Sequence, residues 1–184
     1  MLVSRGMEAE DVAARFFKLK FDLERGRRYY GAMRNRCAAL SLALQAVIAL
    51  SASAAFVGTL AEISPALQRG FALCAAATSC LALAKRAGKR ADLYTLKLAK
   101  FSALLMEFPE DPARWSVDAL ERLTKSRLAV ESDEGPLCEC LDVICHNQLC
   151  LATGCEDQMR PLSWFQEHVL KYFPVRYKLP RKRR

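Results

Sequence analysis

The chain has 184 residues, enough for one domain or for a membrane hairpin with a modest soluble part. Its formal net charge of +8 is segregated: residues 1–36 carry nine Lys/Arg against five acids, 37–106 seven against two, 107–157 four against twelve, and 158–184 eight against one. The basic excess thus belongs to the ends and loop flanks rather than to a basic fold, and two histidines leave His-dependent catalysis few places to reside.

The opening "MLVSRGMEAEDVAARFFKLK" has no apolar run followed by a small-residue cleavage site, so it does not read as a signal peptide. Val12, Phe16, Leu19, Leu23, Gly26, Tyr30, Met33 and Cys37 instead recur at alternating spacings of four and three. That heptad stripe predicts an amphipathic helix over 1–36, with Gly26 its one weak position.

Residues 37–60, "CAALSLALQAVIALSASAAFVGTL", contain no charge, and eight of the 24 are alanine. A helix of that length spans a hydrocarbon core of ~30 Å at about 1.5 Å per residue. A second run, "FALCAAATSCLALA" over 71–84, is shorter. Ser64 and Pro65 offer a helix start that extends it to 20 residues, with Arg69 reaching the headgroups. Arg25, Arg27, Arg28, Arg34 and Arg36 stand before the first run and Lys85, Arg86, Lys89 and Arg90 after the second, while the loop between has Glu62. That asymmetry predicts a two-span hairpin over 37–84 with both termini cytoplasmic. Leu44, Val47, Leu50, Ala54, Cys74, Ala77 and Cys80 are its candidate span and oligomer-interface residues, because small residues permit close helix contact. The competing reading is a soluble, alanine-rich helical hairpin.

After the hairpin, Ala87, Ala91, Tyr94, Leu98, Phe101, Leu105 and Phe108 repeat the heptad spacing and predict a helix over 85–108. Its expected packing residues, with those of the first helix, are Phe16, Leu19, Leu23, Tyr30, Tyr94, Leu98, Phe101 and Leu105. The two stripes are expected to pair antiparallel or with copies of themselves. "FPEDP" ends the second helix, since prolines 109 and 112 cannot continue it.

The acidic subdomain 109–160 predicts helices over 117–130, with Ser116 as N-cap, and over 137–152, with Gly154 as its stop. In the final segment 161–184, Ser163 and Gln166 form a capping box before a short aromatic helix. A basic tail follows. Trp164, Phe165, Arg181, Lys182, Arg183 and Arg184 are candidate contacts to an anionic membrane surface or to phosphate. With no alternating strand in view, the fold class is all-α.

Eight cysteines stand at 37, 74, 80, 138, 140, 145, 150 and 155. Cys138, Cys145, His146 and Cys150 are the most suggestive cluster for thiol or metal chemistry. CxC followed by a distant CHxxxC is not the paired spacing of structural zinc, however, and a helix core is the favoured reading of these residues. No GxGxxG, GxxxxGK[ST], GxSxG or HExxH is present. The expectation is therefore a non-enzyme with no cofactor and no metal.

The layout resembles the SLATT proteins, two-span effectors that accompany nucleotide-signalling antiphage systems in bacteria. The resemblance covers residues 16–155 and rests on a basic helix, "RGRRYYGAMRNR", leading into a first span, a short outer loop, a second span and a heptad helix. It implies an oligomeric bacterial inner-membrane effector that permeabilises or depolarises the membrane when a separate sensor protein activates it. Membrane lipid and copies of itself would be its partners, and nucleic acid would not. The alternative class is a membrane-anchored or soluble helical-bundle adaptor that docks a partner through its acidic helical subdomain.

Overall fold

A computed structural model describes residues 2–60, 69–70, 72, 74, 76, 79, 87–132 and 137–168, with side chains omitted at 2–9, 48, 51–52, 54–60 and 113. Among these residues the chain is all-α, with five helices and no strand. Helix α1 spans Leu2–Leu60, α2 Ala87–Met106, α3 Val117–Glu131, α4 Glu139–Thr153 and α5 Trp164–His168. Single 3-10 turns occupy Pro112–Arg114 and Glu156–Gln158.

The helix ends follow from their sequence. The Ser116 side chain accepts the Ala119 N–H at 3.2 Å and so caps α3. Prolines 109 and 112 follow α2, and the Trp115 indole N–H donates back to the Pro109 carbonyl at 2.9 Å. Gly154 ends α4 in the left-handed region at φ 71 and ψ 21. At α5 the capping box is complete, with Ser163 N–H donating to Gln166 Oε1 at 2.7 Å and Gln166 N–H to Ser163 Oγ at 3.3 Å.

The chain divides into two compact units, one of Met1–Gly31 with Leu96–Arg184 and the other of Ala32–Thr95. In the first unit, the early part of α1 is the spine. Phe16, Leu19, Leu23, Tyr29 and Tyr30 are buried on it, as are Phe101 and Leu104 on α2 and Phe108 two residues past its end. The two helices run antiparallel here, since Phe16 meets Phe108 while Tyr30, fourteen positions later, meets Phe101. Gly26 is the point of closest approach. A Cβ there would lie 2.8 Å from Phe101 Cδ1 and 2.9 Å from Cζ, nearer than real Cβ contacts come. The glycine that looked like a gap in the heptad is the hole that the Phe101 ring fills.

The buried line on α2 differs from the expected one. Lys97, Phe101, Leu104 and Phe108 are buried, whereas Tyr94, Leu98 and Leu105 are half-buried. The real stripe is also spaced four, three, four. It begins at a lysine, whose charge removes that register from a count of apolar positions.

Polar contacts fasten α3 and α4 to the same spine. Arg127 of α3 donates to Asp22 at 2.6 Å, and Asp22 also lies 3.4 Å from Arg25. Arg25 reaches Asp142 of α4 at 3.4 Å. The Tyr29 hydroxyl accepts the Cys138 N–H at 3.0 Å. These charges keep a quarter or less of their side-chain surface exposed, apart from the 26% of Arg25. They are therefore screened less than surface pairs.

In the second unit, a Cβ on Gly88 would lie 3.8 Å from the Ser41 hydroxyl, and Leu44 is buried. Among the described residues no helix is long and apolar enough to cross a membrane, so the hairpin expected over 37–84 is not found in them. The described side chains run without a break only over 37–47, eleven residues against the roughly 20 that a span needs. Residues 61–68 and most of 71–86 lie outside the description.

Candidate functional site

Two features carry chemistry or contact potential: the uncharged part of α1, and the thiol-rich α4.

The uncharged residues 37–60 are helical to their end, as the last part of α1. Their large side chains do not all turn inward. Leu42 is 68% exposed, Val47 45% and Leu50 70%, whereas Leu44 is 9% exposed. Of the expected interface residues, then, Val47 and Leu50 face outward, and Leu44 does not because it is covered by its own chain. Cys74 is exposed; Ala54, Ala77 and Cys80 lie outside the described side chains. The positions Leu42, Ala46, Ala49 and Ser53 are all exposed and lie four, three and four apart, so they share one face. Leu42 is the one large apolar side chain on that face, and Val47 and Leu50 are exposed at other angles around the helix.

Helix α4 is the opposite case. Cys138, Cys140, Cys145 and Cys150 are buried thiols, joined by Leu141, Val143 and Leu149. The helix is a core element, and Phe21 of α1 packs edge-on to the His146 ring at 5.3 Å between centroids. Burial pushes the Cys140 and Cys150 thiols up from their ordinary value, with neighbouring Cys and acid groups adding to the effect. At rest such thiols are held in the neutral form, whereas metal binding and nucleophilic attack need the thiolate. Among the described residues no three His, Cys, Asp or Glu side chains come together in a way that could hold a metal ion. Of the suggestive cluster, His146 and Cys150 are brought together, with Nε2 3.5 Å from Sγ. His146 Nε2 also lies 3.1 Å from the Gln158 carbonyl. A carbonyl only accepts, so this bond assigns the proton to Nε2.

The surface beside α4 is held by one side chain. Asn147 accepts the Arg160 N–H through Oδ1 at 2.8 Å and donates from Nδ2 to the Arg160 carbonyl at 2.8 Å. This clasp shapes a groove of about 480 Å³ lined by Ile144, Leu151, Met159 and Leu162. Trp164 and Phe165 are 70% and 53% exposed on the short α5, while Arg181, Lys182, Arg183 and Arg184 lie outside the description.

Sequence reasoning missed three features of the site's support: the buried Lys97, the Asp22–Arg127 clamp and the Tyr29–Cys138 bond. Only the first left a signal in sequence, the alternative four–three spacing through Lys97. The other two join residues more than 100 positions apart.

The chain matches no family model, no curated protein and no solved structure.

Proposed function

We propose that the chain is a self-associating, membrane-embedded helical protein of the bacterial inner membrane, with both termini cytoplasmic, that permeabilises or depolarises the membrane when a separate sensor protein activates it. The supporting observation is the uncharged end of α1. It is helical throughout, yet it leaves Leu42, Val47 and Leu50 exposed in the single chain. Exposed apolar side chains along an uncharged helix are satisfied by hydrocarbon or by copies of the same helix. The basic residues around 25–36 and 85–90 support the cytoplasmic placement of both ends.

The second span of this reading draws on residues mostly outside the description, and the effector role draws on the resemblance in layout. Cells expressing the full chain, fractionated and washed with carbonate, are expected to retain it in the membrane pellet. Recovery in the soluble fraction would remove the reading. A membrane-potential dye is expected to respond once assembled protein accumulates; a steady potential despite assembled protein in the pellet would leave an anchor without effector activity.

A second reading, an adaptor that docks a partner through its acidic helical subdomain, draws on the groove beside α4 and on the exposed Trp164 and Phe165. Trp164→Ala with Phe165→Ala separates the two: an adaptor loses its partner, whereas a pore-forming effector keeps its response to accumulation.

A further inference from the structure

We infer that Cys150 and Cys155 form a reversible dithiol–disulfide pair that closes the C-terminal turn of α4. Three observations carry this. First, the helix ends in a Schellman arrangement: Cys155 N–H donates to the Cys150 carbonyl at 2.9 Å, Gly154 N–H donates to the Leu151 carbonyl at 3.5 Å, and Gly154 takes the left-handed conformation at φ 71. In this motif a contact between the residue after the glycine and the residue five positions earlier is frequent. Here both are cysteine, and the bond from the Cys155 N–H to the Cys150 carbonyl brings their backbones together across the turn.

Second, burial, and after it the neighbouring Cys155 thiol, hold the Cys150 thiol in its protonated form. Third, the pair is asymmetric. Cys150 is fully buried, while Cys155 is partly exposed and donates weakly to the Thr153 carbonyl at 3.7 Å. A small disulfide oxidant can therefore reach Cys155 but not Cys150, which gives the reaction an order.

The steps balance with glutathione disulfide as oxidant. The Cys155 thiolate attacks one sulfur of glutathione disulfide, forms a mixed disulfide and expels one glutathione thiolate, which takes up a proton. Cys150 then loses its proton and attacks the Cys155 sulfur, forming the Cys150–Cys155 bond and expelling the second glutathione. Two protein thiols are oxidised and one glutathione disulfide is reduced to two thiols. His146 Nε2, its N–H directed to the Gln158 carbonyl, lies 3.5 Å from Cys150 Sγ beside the thiolate that develops in the second step, and acts as a positioning residue.

The test uses the full chain, purified in mild detergent and equilibrated with glutathione buffers of increasing oxidised fraction. After acid quenching, thiols are counted and the bridge is located by mass spectrometry of the peptide 142–156, released by cleavage before Asp142 and Asp157. The expected result is loss of two thiols, a bridge joining 150 to 155, and full recovery with dithiothreitol. Cys155→Ser, at a partly exposed position, is expected to keep the fold by circular dichroism and to form no bridge within that peptide. Retention of all thiols in the folded wild type, a stable glutathione adduct at Cys155 without closure, or a bridge to Cys145 instead would each overturn the inference.

Discussion

Helix α1 contains two regions with opposite logic. Between Phe16 and Tyr30 it is richly charged, with Lys18, Lys20, Asp22, Glu24, Arg25, Arg27 and Arg28, yet Phe16, Leu19, Leu23, Tyr29 and Tyr30 are buried, and Phe17 is its one large apolar side chain left exposed. Between Leu40 and Leu50 it carries no charge, yet Leu42 and Leu50 are about two-thirds exposed. Burial within the chain therefore does not track local hydropathy. It tracks whether α2, α3 and α4 supply surfaces to pack against. The early region has three such helices around it. In the later region, among the described side chains, Leu44 is turned inward while Leu42, Val47 and Leu50 are not.

The strongest way to break this contrast is to open the sealed region. Phe101→Ala removes a fully buried ring from beside Gly26 and Tyr30 and should lower unfolding stability by about 3–5 kcal/mol. Chemical denaturation of the full chain reads this directly. A loss below about 1 kcal/mol would mean that the α1–α2 seam is not a packed core.

The next effect tests the open region. Leu50→Arg should barely change the stability of a helix whose Leu50 faces water, within about 0.5 kcal/mol. If that face meets hydrocarbon, the same change opposes insertion by roughly 2.5–3.5 kcal/mol near the middle of a span. Membrane recovery should then fall sharply. Leu44→Arg is the poorer test, because Leu44 is buried against its own chain and its replacement disrupts packing in either setting.

A smaller effect sharpens the sealed side. Gly26→Ala raises helix propensity by about 1 kcal/mol, but its methyl group would run into the Phe101 ring. Overpacking of this kind costs about 1–3 kcal/mol, so the net change should be destabilising or near neutral. In the Phe101→Ala background the clash is gone, and Gly26→Ala should become stabilising by most of its propensity gain. The sign reversal across the double-mutant cycle is the measurement, and additivity would remove Gly26 as the hole for Phe101.

The local grammar of this fold was legible in the sequence. Ser116 as a cap, prolines 109 and 112 as a stop, Gly154 as a left-handed end and Ser163 with Gln166 as a capping box all act within four residues, where chain chemistry dominates. The heptads at 12–37 and 87–108 located the right pair of helices but chose Leu98 and Leu105 where the chain buries Lys97 and Leu104. Apolar counting cannot select a register whose first member is a lysine. The long-range polar links were illegible for a different reason. Asp22 and Arg127 are ordinary charges until the fold brings them to 2.6 Å. The outward turn of Leu42 and Leu50 was hidden too: an uncharged run announces burial but not the direction of each side chain.

The smallest expected effect concerns that lysine. Lys97 is 6% exposed, and its Nζ is buried without a hydrogen-bond acceptor among the described residues, 5.4 Å from the centre of the Tyr30 ring. The ring face attracts the ammonium group, by about 0.5–2 kcal/mol. Against this stands the desolvation of an unpaired charge; replacing buried ionic groups with apolar ones of similar volume is often neutral or gains about 1–4 kcal/mol. Methionine matches the length of the lysine stem and fills irregular space well. Lys97→Met should therefore stabilise the chain, by about 1 kcal/mol, with a raised midpoint in chemical denaturation. A destabilisation of similar size would show that the Tyr30 contact outweighs desolvation. The sealed region would then use Lys97 as a fastening, as it uses Asp22 and Arg127, rather than tolerate it.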